Sequence, residues 1–361
     1  MTQIINGREI AAGIRAEVAE EVIKLRAANG RPPKLVVIQV GDNPASSTYV
    51  RNKKKACEEC GIECEDIHLP KEISQFELDV EIDKINRDDT VDGILVQLPL
   101  PEHINERAVV DMIDPRKDVD GFTLVNAGKL LAGEDCTLPC TPAGVIELLR
   151  STGVNLASKN AVVIGRSNIV GKPMTLLLQR ENMNVTMLHS KTSQEDMEFY
   201  CRQADVIVVA TGNENTLTDR HFYGGKNPII IDVGINRGAD GKLRGDVSEE
   251  VKAKWSSYYT PCIGGVGPMT VAMLMKNTLR AYKPTEKESR RRTMPKICNG
   301  CEFLNIDEYE QDLIKVKFRH CPPHICNKYN KRVLHFPYSE PYIHPCEECE
   351  KGVDITPIAV M

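Results

Sequence analysis

The sequence predicts an α/β protein of two domains, followed by a small cysteine-rich appendage. β-Branched runs such as Lys34–Val40 are typical of buried parallel strands. These runs alternate with amphipathic helical segments, and that alternation indicates parallel sheets covered on both faces. Of the 13 cysteines, six fall between Cys298 and Cys349. Their clustering indicates a separate module at the carboxyl end.

Composition narrows the class of protein before any motif is considered. The chain has 361 residues, is 41% hydrophobic and 27% charged, and carries a formal charge of -5. These values are ordinary for a soluble protein and do not favour a nucleic-acid-binding or membrane protein. No apolar run approaches the roughly 20 residues of a membrane helix. The amino terminus lacks the features of a signal peptide, so we expect a cytoplasmic protein without a membrane partner.

The first domain is expected to span residues 1–140. A helix is predicted over residues 9–28, with Asn29–Gly30 as its carboxyl-end stop. The strand Lys34–Val40 follows and leads into a helix that carries three consecutive lysines. A second buried strand is predicted over residues 93–101, where prolines end it.

The second domain is expected to span residues 141–267. It begins with a helix over residues 141–153, in which Pro142 occupies the first turn, where a missing N–H costs nothing. Four strands then alternate with glycine turns and helices, at 161–164, 184–190, 204–212 and 227–236. A last helix over residues 268–282 is expected to pack back on the first domain. The appendage is expected to span residues 284–361.

A turn between strand and helix marks a candidate nucleotide site. A buried strand runs into Gly165, and the next helix contains Gly171. Glycine lets the backbone approach a pyrophosphate, and the helix amino terminus offers free N–H groups. This layout predicts a Rossmann-like domain. The string is not G-x-G-x-x-G, so a plain strand–helix turn remains an alternative.

The end of the next strand favours NADP over NAD. An NAD site places a carboxylate there to bind the ribose 2′-hydroxyl. Here the strand ends in His189, Ser190, Lys191 and Thr192, and Arg166 lies in the neighbouring turn. Hydroxyls and cations suit a 2′-phosphate. A solvated turn is the alternative interpretation.

A second group of residues indicates catalysis in the first domain. In "YVRNKKKAC", Tyr49 and Lys53 are four residues apart and share one helix face. Gln97 ends the next apolar strand, and Asp120 lies in "KDVDGF", shortly before the second domain. These side chains would suit a flat polar heterocycle in an interdomain cleft. A solvated lysine run remains the alternative, and Lys54 with Lys55 is interpreted in that way.

Six motifs together resemble one known family, that of bifunctional methylenetetrahydrofolate dehydrogenase/cyclohydrolase. They are "YVRNKKKACEECGI", "DGILVQLPLP", "KDVDGF", "VVIGRSNIVGKPM", "IDVGIN" and "GGVGPMTVAMLMKNTL". The resemblance runs in order from about residue 7 to residue 282. It implies an enzyme of one-carbon metabolism that oxidises methylenetetrahydrofolate with NADP and hydrolyses the methenyl product to 10-formyltetrahydrofolate. It also implies a homodimer, with tetrahydrofolate as the carrier of the substrate.

The resemblance assigns roles to the candidate residues. Lys53 would be catalytic, Gln97 would orient it, Tyr49 would stack on the folate ring and Asp120 would hold the pterin. Contacts with the cofactor would come from Gly165, Arg166, Ser167, Ser190 (2′-phosphate) and the backbone at Ile235 (nicotinamide side). The chain departs from the family at Cys262 and Ile263, where valine and proline are common. We expect this departure to alter the rigidity of that loop.

The appendage carries two C-x-x-C pairs, Cys298 with Cys301 and Cys346 with Cys349. Two such pairs are typical of a tetrahedral zinc site in a zinc-ribbon-like module. A set that includes Cys321 and Cys326 is nearly as well supported. Free thiols and an iron–sulfur cluster remain alternatives. The partner of the appendage is open, and its few aromatic residues do not favour nucleic acid.

Two other readings of the whole chain remain open. One is a two-domain dehydrogenase of the shikimate type, which also pairs a lysine with an aspartate. The other treats the two domains as a scaffold and the appendage as the functional binding module. The motif "DGILVQLPLP" disfavours the first, and the joint presence of Tyr49, Lys53, Gln97 and Asp120 disfavours the second.

Overall fold

The computed structural model describes residues 2–42, 44–238 and 240–283, together with the short segments 325–326 and 331–332. The chain divides into two compact units, residues 1–283 and residues 284–361. The larger unit contains every element that bears on the candidate site.

The elements of the larger unit are as follows. The strands are β1 (Gln3–Ile4), β2 (Lys34–Val40), β3 (Glu63–Leu69), β4 (Gly93–Val96), β5 (Asn160–Ile164), β6 (Asn184–Leu188), β7 (Val206–Val209), β8 (Ile229–Asp232), β9 (Asn236–Arg237), β10 (Leu243–Arg244) and β11 (Tyr258–Tyr259). The helices are α1 (Gly7–Asn29), α2 (Pro44–Cys60), α3 (Gln75–Asn86), α4 (Glu106–Met112), α5 (Leu124–Ala132), α6 (Cys140–Ser151), α7 (Gly171–Arg180), α8 (Gln194–Gln203), α9 (Glu249–Trp255) and α10 (Val266–Tyr282). A 3₁₀ turn spans Asp219–His221.

The first sheet is small and parallel. Strand β2 lies in its centre, with β3 on one side and β4 on the other. All but the first residue of β2 are buried, which confirms the strand predicted from its apolar run. Strand β4 ends at Val96, earlier than the predicted residue 101. Pro99 and Pro101 lack the N–H that a continued ladder needs, so the segment leaves the sheet.

The second sheet has six parallel strands in the order β1-β11-β8-β7-β5-β6. Strand β5 lies between β6 and β7, so the sheet extends first to one side of β5 and then to the other as the chain proceeds. Such a point in an open α/β sheet is where nucleotides bind. The predicted α/β class and its Rossmann-like parallel sheet are confirmed.

Helix α10 connects the elements of the two sheets. It packs against α1 and α2 and also against α6, which leads into the second sheet. At the α6 contact, a Cβ on Gly144 would lie 2.8 Å from the Cβ of Met269. Only glycine therefore permits this close approach. Among the described helices, none combines the length and apolarity needed to cross a bilayer.

For the appendage, the structure describes only the backbone of two short antiparallel strands, β12 (Ile325–Cys326) and β13 (Lys331–Arg332). The predicted metal ligands Cys298, Cys301, Cys321, Cys346 and Cys349 lie outside the described residues, as does the thiol of Cys326. Zinc stays a prediction from spacing. The described part of the chain contains no cluster of histidine, cysteine or acidic residues arranged to hold a metal.

A buried ion pair stabilises the second sheet. The Lys252 side chain is fully buried, and its ammonium donates to Asp232 at 3.2 Å and to the Thr260 carbonyl at 3.1 Å. Burial raises the pKa of Asp232, and Lys252 opposes that shift. Asp232 also accepts hydrogen bonds from the backbone of Asp246 and Val247. The pair therefore joins α9, β8 and the segment after β10.

We expect Lys252→Met to lower the free energy of unfolding by about 3–5 kcal/mol, because Asp232 is left buried without its cation. The measurement is equilibrium urea denaturation. Lys254→Met is the matched control, since Lys254 lies on the same helix and pairs with Asp219 at an exposed position. If both variants lost the same free energy of unfolding, the buried Lys252–Asp232 pair would not stabilise the protein more than an exposed pair does.

Candidate active site

The three polar residues predicted for the first domain come from adjacent segments of the first sheet. Helix α2, which carries Lys53, follows β2, and Gln97 directly follows β4. The segment before Asp120 runs beside β4, since Ile94 and Asp118 form a parallel bridge. Because parallel strands end at one edge of a sheet, the three side chains converge there.

The Lys53 ammonium donates a hydrogen bond of 2.9 Å to the side-chain oxygen of Gln97. The Gln97 amide nitrogen in turn donates to the Leu98 carbonyl at 2.8 Å. This second bond sets which end of the amide faces the lysine. Lys53 is half-buried and has two further N–H groups for a substrate or water.

The neighbouring lysines have different surroundings. Lys54 pairs with Asp66 of β3 at 2.6 Å, and Lys55 is exposed. Tyr49 lies one turn before Lys53 with 45% of its surface exposed. An exposed aromatic ring beside the lysine offers a face on which a planar ligand can stack. Of the three lysines, only Lys53 contacts Gln97.

Asp120 has the most perturbed carboxyl group near this lysine. Burial raises its pKa to about 6, the Lys53 ammonium acts in the opposite direction, and Asp118 adds to the rise. The Cys140 thiol, like Lys53, acts to lower this pKa. A carboxyl that titrates near neutrality can exchange protons with substrate or water at physiological pH.

Asp118 is a residue of the site region that the sequence analysis did not single out. Its buried carboxylate accepts four hydrogen bonds, from the N–H groups of Gly121 (2.8 Å), Phe122 (3.3 Å) and Thr123 (2.9 Å) and from the Asn126 amide (2.9 Å). These bonds fold the chain around Asp120. The signal was present in "KDVDGF", where an aspartate lies three residues before a glycine of positive φ.

Asn277 of α10 and Cys140 were also missed. The Asn277 amide donates to the carbonyls of Val119 (2.8 Å) and Leu138 (2.9 Å), and it contacts the Cys140 sulfur at 3.4 Å. Helix α10, which is the last helix of residues 1–283, therefore holds the chain on both sides of the Asp120 loop. Spacing in the sequence carries no signal for these contacts.

The predicted nucleotide turn is tightly packed. A Cβ on Gly165 would lie 2.3 Å from the Ala210 carbonyl oxygen, and one on Gly171 would lie 2.2 Å from the Gly165 oxygen. Gly165 also has a φ of +129°. The two glycines let the turn lie against the end of β7, and Arg166 and Ser167 are left exposed above it. The cradle and its exposed cation fit the pyrophosphate of a dinucleotide.

Ser167 has a second role that the motif did not reveal. Its hydroxyl oxygen accepts hydrogen bonds from the N–H groups of Val170 (3.2 Å) and Gly171 (3.3 Å), at the start of α7. A hydroxyl has two acceptor sites and one donor hydrogen. With both acceptor sites used, the hydrogen remains for an anionic ligand.

The other predicted cofactor residues lie at the same edge of the second sheet. Ser190 follows β6 and is exposed, and Gly165 donates to the Leu188 carbonyl at the end of that strand. Ile235 follows β8, with 44% of its surface exposed. The structure thus gathers these residues along one edge of the second sheet: Gly165, Arg166, Ser167, Ser190 and Ile235.

Asp246 stabilises this edge and was not predicted. One carboxylate oxygen accepts from the Thr211 N–H (2.7 Å), the Thr211 hydroxyl (3.0 Å) and the Gly212 N–H (3.0 Å). The other accepts from the Asn236 amide at 2.9 Å. The loops after β7 and β8 are therefore held by a single side chain.

Comparison with known proteins gives a consistent result for the two domains. Residues 5–120 match the tetrahydrofolate dehydrogenase/cyclohydrolase catalytic domain, and residues 139–286 match the NAD(P)-binding domain of that family. The bifunctional protein FolD of Brevibacillus brevis is 51% identical over 285 residues, which cover 79% of this chain and 99% of that protein. The resemblance read from the motifs is confirmed.

Solved structures agree with these matches. The bifunctional enzyme FolD from Campylobacter jejuni is 47% identical, with a TM-score of 0.75 over 78% of this chain and 98% of that one. A Trypanosoma brucei methylenetetrahydrofolate dehydrogenase-cyclohydrolase, complexed with NADP cofactor and inhibitor, is 37% identical. Its TM-score is 0.74 over 81% of this chain and 99% of that one. These matches favour the folate reading over the shikimate-type alternative.

The raised pKa of Asp120 predicts a pH-dependent stability. Unfolded, the carboxyl ionises near its ordinary value of 3.8, whereas folded it keeps its proton up to about 6. The folded state therefore binds more protons in this window, and its stability falls as pH rises through it. We expect Asp120→Asn to be more stable than the wild type at about pH 7.5, with the gain disappearing near about pH 4.

Urea midpoints across this pH range measure the effect. Asp88→Asn is the control of opposite sign, because hydrogen bonds from the Thr90 side chain and backbone lower the pKa of Asp88. That variant should be less stable than the wild type at neutral pH, and this difference should shrink as pH falls. A gain for Asp120→Asn that does not change with pH would rule out the titration of Asp120 as its cause.

Proposed function

Because the chain belongs to the tetrahydrofolate dehydrogenase/cyclohydrolase family, we propose that it oxidises methylenetetrahydrofolate to methenyltetrahydrofolate with NADP and hydrolyses that product to 10-formyltetrahydrofolate. The observation that carries the proposal is the 2.9 Å hydrogen bond between Lys53 and Gln97. The Lys53 ammonium also acts electrostatically on Asp120 and opposes the rise of its pKa. The substrate would lie over these three side chains and against the Tyr49 ring.

Oxidation requires positioning more than a strong base. The lone pair of a ring nitrogen drives a hydride from the methylene carbon, and no proton has to leave that carbon. When bound, NADP accepts this hydride. The task of the protein is to hold the methylene carbon in one place, since orientation alone contributes about 7–11 kcal/mol to such steps. Tyr49 and Asp120 are suited to hold the ring from its face and its polar edge.

Hydrolysis requires proton transfer. Water adds to the methenyl carbon and loses one proton, the bond from that carbon to one ring nitrogen breaks, and a formyl group remains on the other nitrogen. In this proposal, Lys53 binds this water and passes a proton between the oxygen and the departing nitrogen. The Gln97 amide keeps the ammonium in position while it does so. Asp120, whose pKa is raised to about 6, can hold or release a proton beside the lysine.

The edge of the second sheet supports NADP as the dinucleotide. Gly165 and Gly171 let the chain approach the pyrophosphate, and Ser167 retains its hydroxyl hydrogen for a phosphate oxygen. Arg166 and Ser190 lie on neighbouring strand ends, where an added 2′-phosphate would need a cation and a hydroxyl. The backbone at Ile235, after β8, is the proposed contact of the nicotinamide.

We also propose that the larger unit divides into two domains, residues 1–140 and residues 141–267. We further propose that the protein assembles as a homodimer. A cytoplasmic location is supported by the seven free cysteines of the described residues, since a reducing compartment maintains free thiols. Zinc in the appendage, and any protein partner it has, rest on the spacing of its cysteines alone.

We expect Lys53→Met to lower the cyclohydrolase rate by about 10²–10⁴-fold, the usual contribution of a positioned acid–base group. The decay of methenyltetrahydrofolate absorbance measures this rate. NADP binding, followed by titration of protein fluorescence, should change little. Lys55→Met is the matched control, because Lys55 lies on the same helix and is exposed.

A normal hydrolysis rate in Lys53→Met would remove this lysine from the mechanism. A comparable loss in Lys55→Met would mean that the charge of the helix, and not the Lys53–Gln97 contact, sustains the activity.

We expect Arg166→Gln and Ser190→Ala each to raise the KM for NADP by about tenfold, the effect of losing roughly 1.4 kcal/mol of phosphate binding. The KM for NAD, which lacks the 2′-phosphate, should change much less. Steady-state dehydrogenase assays with both dinucleotides measure the two constants. Equal changes for NADP and NAD would contradict a 2′-phosphate contact at these residues.

A further inference from the structure

A short loop joins the nucleotide edge of the second sheet to α10. Strand β11 pairs in parallel with β8, and just beyond it the Thr260 N–H donates to the Ile230 carbonyl at 3.1 Å. The Asp232 N–H in turn donates to the Thr260 hydroxyl at 2.8 Å. The chain therefore leaves β11 beside the segment that leaves β8 and carries Ile235, the proposed contact of the nicotinamide. We call residues 261–265, which begin here, the crossing loop.

The far end of the crossing loop packs against the start of α1. The Arg8 N–H donates to the Gly264 carbonyl at 3.1 Å. A Cβ on Gly7 would overlap the Gly265 carbonyl oxygen, so only glycine permits this contact. Helix α1 packs on α2, the helix that carries Lys53. The crossing loop therefore runs from the nicotinamide contact to a helix that supports the catalytic lysine.

A carboxylate of α9 holds the crossing loop near its beginning. One oxygen of Glu249 accepts the Cys262 N–H at 3.0 Å and the Lys252 ammonium at 2.8 Å. Lys252 cannot move freely, because it is fully buried and also donates to Asp232 and to the Thr260 carbonyl. Hydrogen bonds with a charged partner are the stronger ones. Glu249 therefore fastens the loop to the buried ion pair of the second sheet.

The crossing loop has little rigidity of its own. It contains two consecutive glycines, and Gly264 has a φ of +90°. Ile263 lies where a proline is common in the family, and an isoleucine does not fix φ as proline does. The Ile263 side chain is 60% exposed and adds little packing. A restraint on the loop must therefore come from outside it, and the hydrogen bond to Glu249 supplies one.

We propose that Glu249 is a positioning residue for hydride transfer. It fixes the crossing loop beside the nicotinamide contact, and the loop in turn sets where the dinucleotide meets the folate. This inference rests on the proposed function. Glu249 neither donates nor accepts a proton in the reaction, and it acts only through the Cys262 N–H.

The two proposed reactions depend differently on such a restraint. Oxidation requires the methylene carbon and the nicotinamide to be aligned, whereas hydrolysis uses water and no dinucleotide. The residues of hydrolysis are held by bonds outside the loop, since Lys53 donates to Gln97, and Asn277 holds the chain on both sides of Asp120. Release of the crossing loop should therefore slow the oxidation and leave the hydrolysis nearly unchanged.

The test compares Glu249→Ala with the wild type in the full chain. A misplacement of about 1 Å can cost about 10²-fold in rate, so we expect hydride transfer to slow by at least about tenfold. Single-turnover formation of NADPH, followed by stopped-flow absorbance at saturating NADP, measures this rate. The cyclohydrolase rate, measured on the same samples, should change by less than about twofold, far below the usual acid–base contribution.

Two matched variants separate positioning from a loss of charge or of folding. Glu249→Gln keeps an oxygen that can accept from Cys262 and Lys252, so it should retain most of the hydride-transfer rate. Glu250→Ala removes the next carboxylate of α9, which is exposed, and should behave as the wild type does. The Glu249 side chain is 52% exposed, so its truncation leaves no buried cavity.

Hydrogen exchange tests the restraint without any assay of activity. The Cys262 amide, followed in peptides that cover residues 260–265, should exchange faster in Glu249→Ala and at the wild-type rate in Glu250→Ala. Unchanged exchange in Glu249→Ala would overturn the inference. Equal losses of both activities in that variant, or an equal loss of hydride transfer in Glu249→Gln, would overturn it as well.

The wild type distinguishes this inference from the proposed function. A wild type without dehydrogenase activity would contradict the proposed function, and with it the effect on hydride transfer. Hydrogen exchange would still decide whether Glu249 restrains the loop. A wild type with both activities, together with a normal hydride-transfer rate in Glu249→Ala, would contradict only the positioning role.

Discussion

The site depends on the buried carboxylate of Asp118, which is satisfied by hydrogen bonds from its own loop. Asp118 accepts four hydrogen bonds from the chain that follows it, and these bonds turn Asp120 toward Lys53. A buried carboxylate is costly unless such donors surround it. Since the donors are mostly backbone N–H groups of its own loop, the charge and the loop conformation stabilise each other. Loss of either would release Asp120.

The same loop is held from the other side by α10. Asn277 donates to the Val119 and Leu138 carbonyls, which lie before and after the loop. Helix α10 also packs on α1, α2 and α6, so it contacts the helix of Lys53 and the entry to the second sheet. The position of Asp120 relative to Lys53 is therefore set by a helix that contributes neither residue. Helix α10 therefore links the sheet that bears Lys53 and Asp120 to the helix that leads into the second sheet.

Local patterns in the sequence were sufficient for the fold class and for most candidate residues. The apolar run of β2, the four-residue spacing of Tyr49 and Lys53, and the place of Gln97 after a strand are short-range features, and periodicity reports them. The contact of Asn277 with Val119 joins residues 158 positions apart, and no period encodes it. Ser167 was assigned to the cofactor from its motif, but its two bonds to the start of α7 depend on the folded turn. The sequence thus predicts candidates such as Lys53, Gln97 and Asp120, whereas the fold reveals the residues that hold them and decides which atoms remain available.

The electrostatics of the site follow from this construction. Burial favours the protonated form of Asp120, and the Lys53 ammonium favours the ionised form. The net effect is a pKa of about 6 for Asp120, because burial outweighs the Lys53 charge. A planar ligand that excludes water from Asp120 and Lys53 would strengthen both the effect of burial and the attraction between the two charges, because fewer water molecules would screen them. In the proposed hydrolysis, Lys53 and Asp120 are the two neighbouring proton carriers, and the hydrogen bond from Lys53 to Gln97 holds the lysine in place.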